Sequence, residues 1–166
     1  MITDKALYLI TFITIVPFQV NGQGEWDNWL FGENLWVQFN NGVPEEKKGS
    51  AMVAMKGSAS VSDSLLNLLF YTNGATVWNS EHLIMVGGSG LLGSDSSTQS
   101  SLIIPHPGNN YQYYLFTTTG NRWVGWDKSH PPGLRYHIID MRRSNGLGTV
   151  AATTFCSARW KKAHSD

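Results

Sequence analysis

Residues 67–79 read NLLFYTNGATVWN. Two runs rich in aromatic and β-branched residues flank Thr72-Asn73-Gly74, and an Asn-Gly pair supplies the positive φ angles that a tight hairpin turn needs. The segment therefore reads as a β-hairpin. On its N-terminal side, LWVQF (35–39) precedes the turn-rich NNGVP (40–44), and AMVAMKGSASVS (51–62) alternates small apolar and polar residues as a strand covered on one face does. On its C-terminal side, HLIM (82–85) leads into the Gly/Ser-rich loop GGSGLLGSDSS (87–97). SLIIP (101–105), YQYYLFTTT (111–119) and LRYHIIDMR (134–142) are further strands, with PGNN (107–110) as the turn between the first two. Residues 120–133 read as a loop containing Trp123, Trp126 and Pro131-Pro132. Beyond the first 22 residues no window carries a 3.6-residue apolar period. Short strands at this spacing imply an all-β, antiparallel sandwich, barrel or propeller.

Composition agrees. Gly, Ser, Thr and Asn supply 57 of the 166 residues, charged residues only 14%, and there are seven Trp, seven Phe and six Tyr. Such a chain is too apolar for intrinsic disorder and too rich in turn formers for a helical bundle. Twelve basic residues balance twelve acidic ones, which leaves no excess to neutralise phosphates and excludes nucleic acid as a partner. One weak internal repeat stands out. LLFYTNG (68–74) and YLFTTTG (114–120) lie 46 residues apart, close to the length of one propeller blade. Each is expected to be an inner blade strand that buries its aromatic between sheets.

The N-terminus has the layout of a secretory signal peptide. Lys5 precedes the apolar run ALYLITFITIVPF (6–18), which is too short to span a bilayer, and Val20 and Gly22 occupy the cleavage-site positions before Gln23. Residues 1–22 are thus expected to be removed, leaving a chain with no membrane span and an extracellular or cell-surface location. Cys156 is the only cysteine, so neither an internal disulfide nor a cysteine zinc site is available.

Five runs carry a resemblance to a known family: WLFGENLWVQFNNGVP (29–44), NLLFYTNGATVWNSEHLIM (67–85), GLLGSDSSTQSSLIIPHPGNN (90–110), YYLFT (113–117) and GLRYHIIDMRRSNGLGTV (133–150). In this order they resemble the N-terminal propeller-like region of large secreted Bacteroidota proteins. Those proteins often carry a gliding-motility-associated C-terminal sorting domain read by the type IX secretion system. The likeness covers about residues 26–150. Its most specific parts are Ser97-Thr98-Gln99-Ser100 with Pro105 and Pro107, and the hairpin Phe70–Gly74. The chain departs from the family at Leu65-Leu66-Asn67, where a Gly-Asn turn is usual, which implies a longer or less tight hairpin. It also departs at Lys56, where a glutamate is usual, and after Val150, where AATTFCSARWKKAHSD no longer follows the pattern. The resemblance implies an incomplete β-propeller-like domain of about one to two blades over residues 23–150, a divergent tail over 151–166, and a truncated or frameshifted frame, with a genuine short paralogue as the alternative. It further implies a secreted, non-enzymatic binding or adhesion module. Its expected partners are a glycan or surface protein, and missing C-terminal blades or self-association through open sheet edges.

The residues offer little for catalysis. His82, His106, His130 and His137 are scattered and form no close pair with a third ligand, and Asp95 has no run of alternating carboxylates, so neither zinc nor calcium nor any other cofactor is expected. Gly87-Gly88-Ser89-Gly90-Leu91 misses the nucleophile-elbow spacing at Leu91. Glu25, Asp27, Glu33, Asp63, Glu81, Asp95, Asp127 and Asp140 are available for glycoside hydrolysis, but sequence cannot pair them. Asp63 and Asp140 lie near strand ends, where carboxylates accept backbone N–H bonds. A carbohydrate-active propeller enzyme and a fragment without independent function are the other readings.

Tryptophan is the more informative residue. Trp26, Trp29, Trp36, Trp78, Trp123 and Trp126 fill gaps between sheets if buried, or stack on sugar rings if exposed. Trp123 and Trp126, in a Gly-containing loop beside Arg122 and Lys128, are the expected exposed pair, and Arg122, Trp123 and Trp126 are the candidate ligand-binding residues. The basic run Arg159-Trp160-Lys161-Lys162 reads as a frayed tail. The export signal is directly testable. The exported chain should begin at Gln23 by intact mass, and an uncut chain retained in the cytoplasm of an expressing bacterium would contradict the signal-peptide reading.

Overall fold

The computed structural model describes residues 24, 26–119 and 133–156. Residues 1–22, read as a signal peptide, lie outside them. Among the described residues, ten strands form three antiparallel sheets. The first sheet holds β1 (Asn28–Phe31), β2 (Leu35–Asn40) and β3 (Val43–Lys47), in that order. The second holds β4 (Ala59–Ser62), β5 (Leu68–Thr72) and β6 (Val77–Asn79). The third holds β7 (Ser101–Pro105), β8 (Gln112–Thr118), β9 (Leu134–Asp140) and β10 (Thr149–Cys156). Each sheet is a meander in chain order, and the first strands lie together, β1 beside β4 and β4 beside β7. The all-β, antiparallel class is as the sequence implies.

Several local expectations change. There are three sheets rather than one to two blades, because NWLF and VPEEK flank LWVQF as strands. VPEEK hides its nature because Pro44 and three charges are tolerated only on an edge strand, which is where β3 lies. The two-residue turn with positive φ at both positions is Asn41-Gly42 (φ +49° and +80°), which joins β2 to β3. At Asn73-Gly74 only Gly74 has positive φ, and the loop spans residues 73–76. Asn73 serves there as a side-chain acceptor, its Oδ1 taking the Ala75 and Thr76 N–H groups, both at 2.9 Å. LLFYTNG and YLFTTTG occupy equivalent places, β5 and β8, each the second strand of its sheet in chain order and flanked by a strand on either side. Of AMVAMKGSASVS only Ala59–Ser62 is a strand, because the N–H groups before it bond to loops: Ala54 to the Gly32 carbonyl, Met55 and Lys56 to that of Asp95. Val150 is not a boundary either, since β10 pairs with β9 through Cys156.

Two apolar clusters hold the sheets together. Sheet two is covered on both faces. Leu68, Tyr71 and Trp78 join Leu30 of β1 and the plug Met52 on one side, with Tyr71 and Trp78 stacked at 5.4 Å. Val61, Phe70 and Val77 join Ile103, Leu115 and Ile139 of sheet three on the other. Leu68 and Phe70 would share a face in a regular strand. A bulge opposite Val61 and Ser62 makes Leu69 the extra residue, which turns Leu68 to the side of Tyr71. Burying each such side chain contributes about 1.5–3 kcal/mol. The half-exposed Lys47–Glu45 ion pair, worth at most about 1 kcal/mol, decides nothing.

The hairpin tip of sheet two meets β7 through bare backbone. A Cβ on Gly57 would stand 2.6 Å from the amide nitrogen of buried Ser100, and one on Gly74 would stand 3.0 Å from the Ser100 Cβ. A Cβ on Gly93 would run into the Gly74 carbonyl. Behind β7, fully buried His137 sits between two threonine hydroxyls, Thr117 on β8 (3.0 Å) and Thr153 on β10 (2.9 Å). Desolvation, reinforced by the charge of Arg135, pushes its pKa down to about 4.

Two measurements test this packing. Gly93→Ala should cost about 3 kcal/mol or more by chemical denaturation, because backbone must move, whereas Gly108→Ala, which meets only ordinary contacts, should stay within about 0.5 kcal/mol. An unfolded histidine titrates near 6.5, so between about pH 6.5 and 4 the unfolded chain binds more protons than the folded one. Stability should be full above pH 6.5 and fall by roughly 2 kcal/mol on going from pH 7 to 5. The lowered pKa of His82 adds in the same direction. His137→Gln should flatten most of that slope, and an unchanged slope would remove His137 as its source.

Candidate functional site

The first strands of the three sheets enclose an open groove of about 330 Å³. Trp26, Trp29 and Phe31 form one wall, Ser58, Ala59 and Ser60 another, and Ser101, Leu102 and Ile103 the third. Local structure explains why these rings stand free. In β1 the alternation buries Asn28 and Leu30 and turns Trp29 and Phe31 outward. Trp26 is 61% exposed and Trp29 53%. The indole N–H of Trp29 donates to the Trp26 carbonyl at 2.7 Å and its ring packs on Phe39 at 5.0 Å, so its orientation is fixed.

Beneath the wall lies a polar hub. Buried Asn28 donates from Nδ2 to the Ser62 hydroxyl (2.8 Å) and the Leu66 carbonyl (2.9 Å), and its Oδ1 accepts the Trp36 indole N–H (2.8 Å). Ser60 donates to the Asn28 carbonyl. Every polar atom of the Asn28 side chain is engaged, so the hub ties sheet one to sheet two and leaves the groove floor rigid. Among the described residues no carboxylate, histidine, lysine or arginine lines the groove.

The tryptophans thus sort by environment. Trp26 and Trp29 are exposed, Trp36 is half-buried, and Trp78 is packed in the core. The expected pair, Trp123 and Trp126, lies with Arg122 in residues 120–132, outside the described residues. That stretch leaves β8 and enters β9 where the Thr119 N–H donates to the Gly133 carbonyl (3.2 Å) and the Gly133 N–H to the Thr119 hydroxyl (2.8 Å). The pair Trp26–Trp29 is not distinguished by sequence, because nothing in GEWDNWLF separates an outward ring from a buried one until β1 is known to be a strand.

The carboxylates do other work. Asp63 Oδ1 accepts the Leu65 and Asn67 N–H groups, at 2.8 and 2.9 Å, and closes the β4–β5 turn over residues 63–67, the longer of the two outcomes expected at Leu65-Leu66-Asn67. Partial burial alone would raise its pKa, but the hydrogen bonds from Asn67 and Leu65 outweigh it and hold the carboxyl below its usual value. Asp140 accepts the Arg142 guanidinium (2.8 and 3.1 Å), the Gln112 amide (3.1 Å) and the Arg142 N–H (3.1 Å). Those bonds, led by Arg142, hold it well below the usual carboxylate range. Both match their reading as strand-end acceptors.

The described histidines are likewise spoken for. His82 faces the Tyr71 hydroxyl at 3.1 Å, His106 accepts the Gly108 N–H in its turn at 3.0 Å, and His137 is enclosed as above. Among the described residues no group of three His, Cys, Asp or Glu side chains is placed to hold a metal ion, and no helix is long and apolar enough to cross a membrane. Ser89 lies in the loop between β6 and β7, so a strand rather than a helix comes after it. Comparison with protein-family models, with curated proteins and with solved structures returned no match.

Proposed function

We propose that this chain is a secreted or cell-surface, non-enzymatic binding module whose three sheets are blades of an open β-propeller and whose groove takes a carbohydrate. The single observation behind the ligand class is the exposed Trp26–Trp29 pair beside an uncharged, serine-edged groove. A flat indole matches the C–H face of a sugar, and hydroxyl-bearing walls can exchange hydrogen bonds with sugar hydroxyls. A charged ligand would find no counter-charge on these walls. Glycoside cleavage needs two carboxylates flanking the bond, and among the described residues none lies on the groove walls.

The blade reading draws support from the meander order of each sheet and from the adjacency of β1, β4 and β7. The motif resemblance to secreted Bacteroidota propeller regions and the signal-peptide layout support export. A glycan array probed with the purified chain tests the ligand class. At least one glycan should bind, and Trp26→Ala and Trp29→Ala should each weaken it about tenfold, roughly 1.4 kcal/mol. Circular dichroism should stay unchanged. Binding untouched by both substitutions, or no glycan bound, would refute the reading.

A further inference from the structure

Asn-Gly occurs at residues 21–22, 41–42, 73–74 and 145–146, and the last three pairs lie among the described residues. The dipeptide is chemically labile. A deprotonated glycine amide can attack the asparagine side-chain carbonyl, and glycine has no Cβ to crowd the approach. Sequence makes the three pairs equals, but their surroundings do not.

Asn73-Gly74 is closed to this reaction. Both residues are buried, and the Gly74 N–H donates to the Thr72 hydroxyl at 2.9 Å. Asn73 Nδ2 donates to the Val53 carbonyl at 2.9 Å, and its Oδ1 accepts the Ala75 and Thr76 N–H groups. Asn145-Gly146 is intermediate. Both residues are exposed, but the Gly146 N–H donates to the Arg143 carbonyl at 3.2 Å. The Leu147 and Gly148 N–H groups close the same turn, each at 3.1 Å.

Asn41-Gly42 has no such protection. Both residues are exposed, and a Cβ on Gly42 would meet nothing within 4 Å. Among the described residues the Gly42 N–H has no acceptor outside the strand ladder, and the Asn41 side chain makes one surface bond, from Nδ2 to Asn40 Oδ1 at 3.2 Å. The attacking nitrogen must also swing onto Cγ, so the turn has to open. Behind it, β3 is an edge strand whose residues Val43 to Glu46 are all exposed, which makes that opening local.

We propose that Asn41-Gly42 is a site of spontaneous deamidation, and that the reaction releases the edge strand β3. The Gly42 nitrogen gives its proton to solvent and bonds to Asn41 Cγ. The Cγ–Nδ2 bond breaks, and Nδ2 leaves as ammonia with a proton returned by solvent. Water then opens the cyclic imide. Addition at the side-chain carbonyl leaves aspartate; addition at the main-chain carbonyl leaves isoaspartate, whose main chain runs through Cβ. Water is the only co-reactant, and nothing is oxidised or reduced. A two-residue turn with positive φ at both positions fixes the Asn40–Val43 register, and it has no room for an extra main-chain atom. The isoaspartyl product therefore unpairs β3 from β2, while β2 keeps β1. Neither Asn41 nor Gly42 lines the groove, so this stands apart from the glycan reading.

Peptide mapping by mass spectrometry, on the full chain held at physiological temperature and mildly alkaline pH, tests this. Conversion should run in the order Asn41, Asn145, Asn73, with Asn41 ahead of Asn73 by about tenfold or more. In denaturant the three sites should converge to one rate, because only the fold distinguishes them. Thr72→Val removes the acceptor of the Gly74 N–H, so it should speed conversion at Asn73 and leave Asn41 unchanged. The isoaspartyl form, separated by ion exchange through its added negative charge, should lose amide-exchange protection over β3 and keep it over β5. A folded chain that stays intact at Asn41, or that converts all three sites at one rate, would overturn the proposal. So would unchanged conversion at Asn73 in Thr72→Val, or full protection of β3 in the isoaspartyl form.

Discussion

The backbone contact among Gly57, Gly74, Gly93 and Ser100 is the constraint on which the packing of sheet three depends. It brings the tip of the β5–β6 hairpin against the entry to β7, closer than any side chain would permit. Only at that spacing does Phe70 reach Ile103, Leu115 and Ile139 to form the larger cluster. The segments involved are Phe70–Gly74 and Ser97–Ser100. They are far apart in sequence yet form the two sides of one contact. Their residue types follow from close approach: glycine where backbones meet, and a small buried serine between them.

Sheet one is attached by different chemistry. Its joint is the fully bonded amide of Asn28, with Leu30 and Met52 packed around it. A buried polar hub specifies geometry because a partly satisfied one would be costly. The bulge at Leu69 then lets one short strand serve both joints, since Leu68 turns to sheet one while Phe70 stays with sheet three.

Much of the fold was legible where it is local. LWVQF, SLIIP, YQYYLFTTT and LRYHIIDMR carry their strand signal in their own composition, and Asp63 and Asp140 announce their turns by position. What was not legible depends on partners. β3 contains Pro44 and three charges and becomes a strand only because β2 offers it an edge. The 51–58 segment alternates as a strand should, yet gives its hydrogen bonds to loops. Asn73-Gly74 and Asn41-Gly42 are the same dipeptide with different turns, because in the first Asn73 accepts two backbone N–H groups and keeps a negative φ. The candidate site suffered most. Exposure of Trp29 follows from the parity of a four-residue strand, which composition does not report, and Trp26 lies in the turn before that strand.

The meander topology has a consequence for how the molecule opens. Nearly all pairing is between strands adjacent in the chain, so each sheet can form by short-range closure, and the two apolar clusters, the asparagine hub and the glycine contact then couple one sheet to the next. Such a molecule breathes in blocks. The exposed β3 edge belongs to the least protected block, and sheet two, held from both sides, to the most. Amide hydrogens on β5 would then report the free energy of opening the whole chain, while those of β3 report only local fraying.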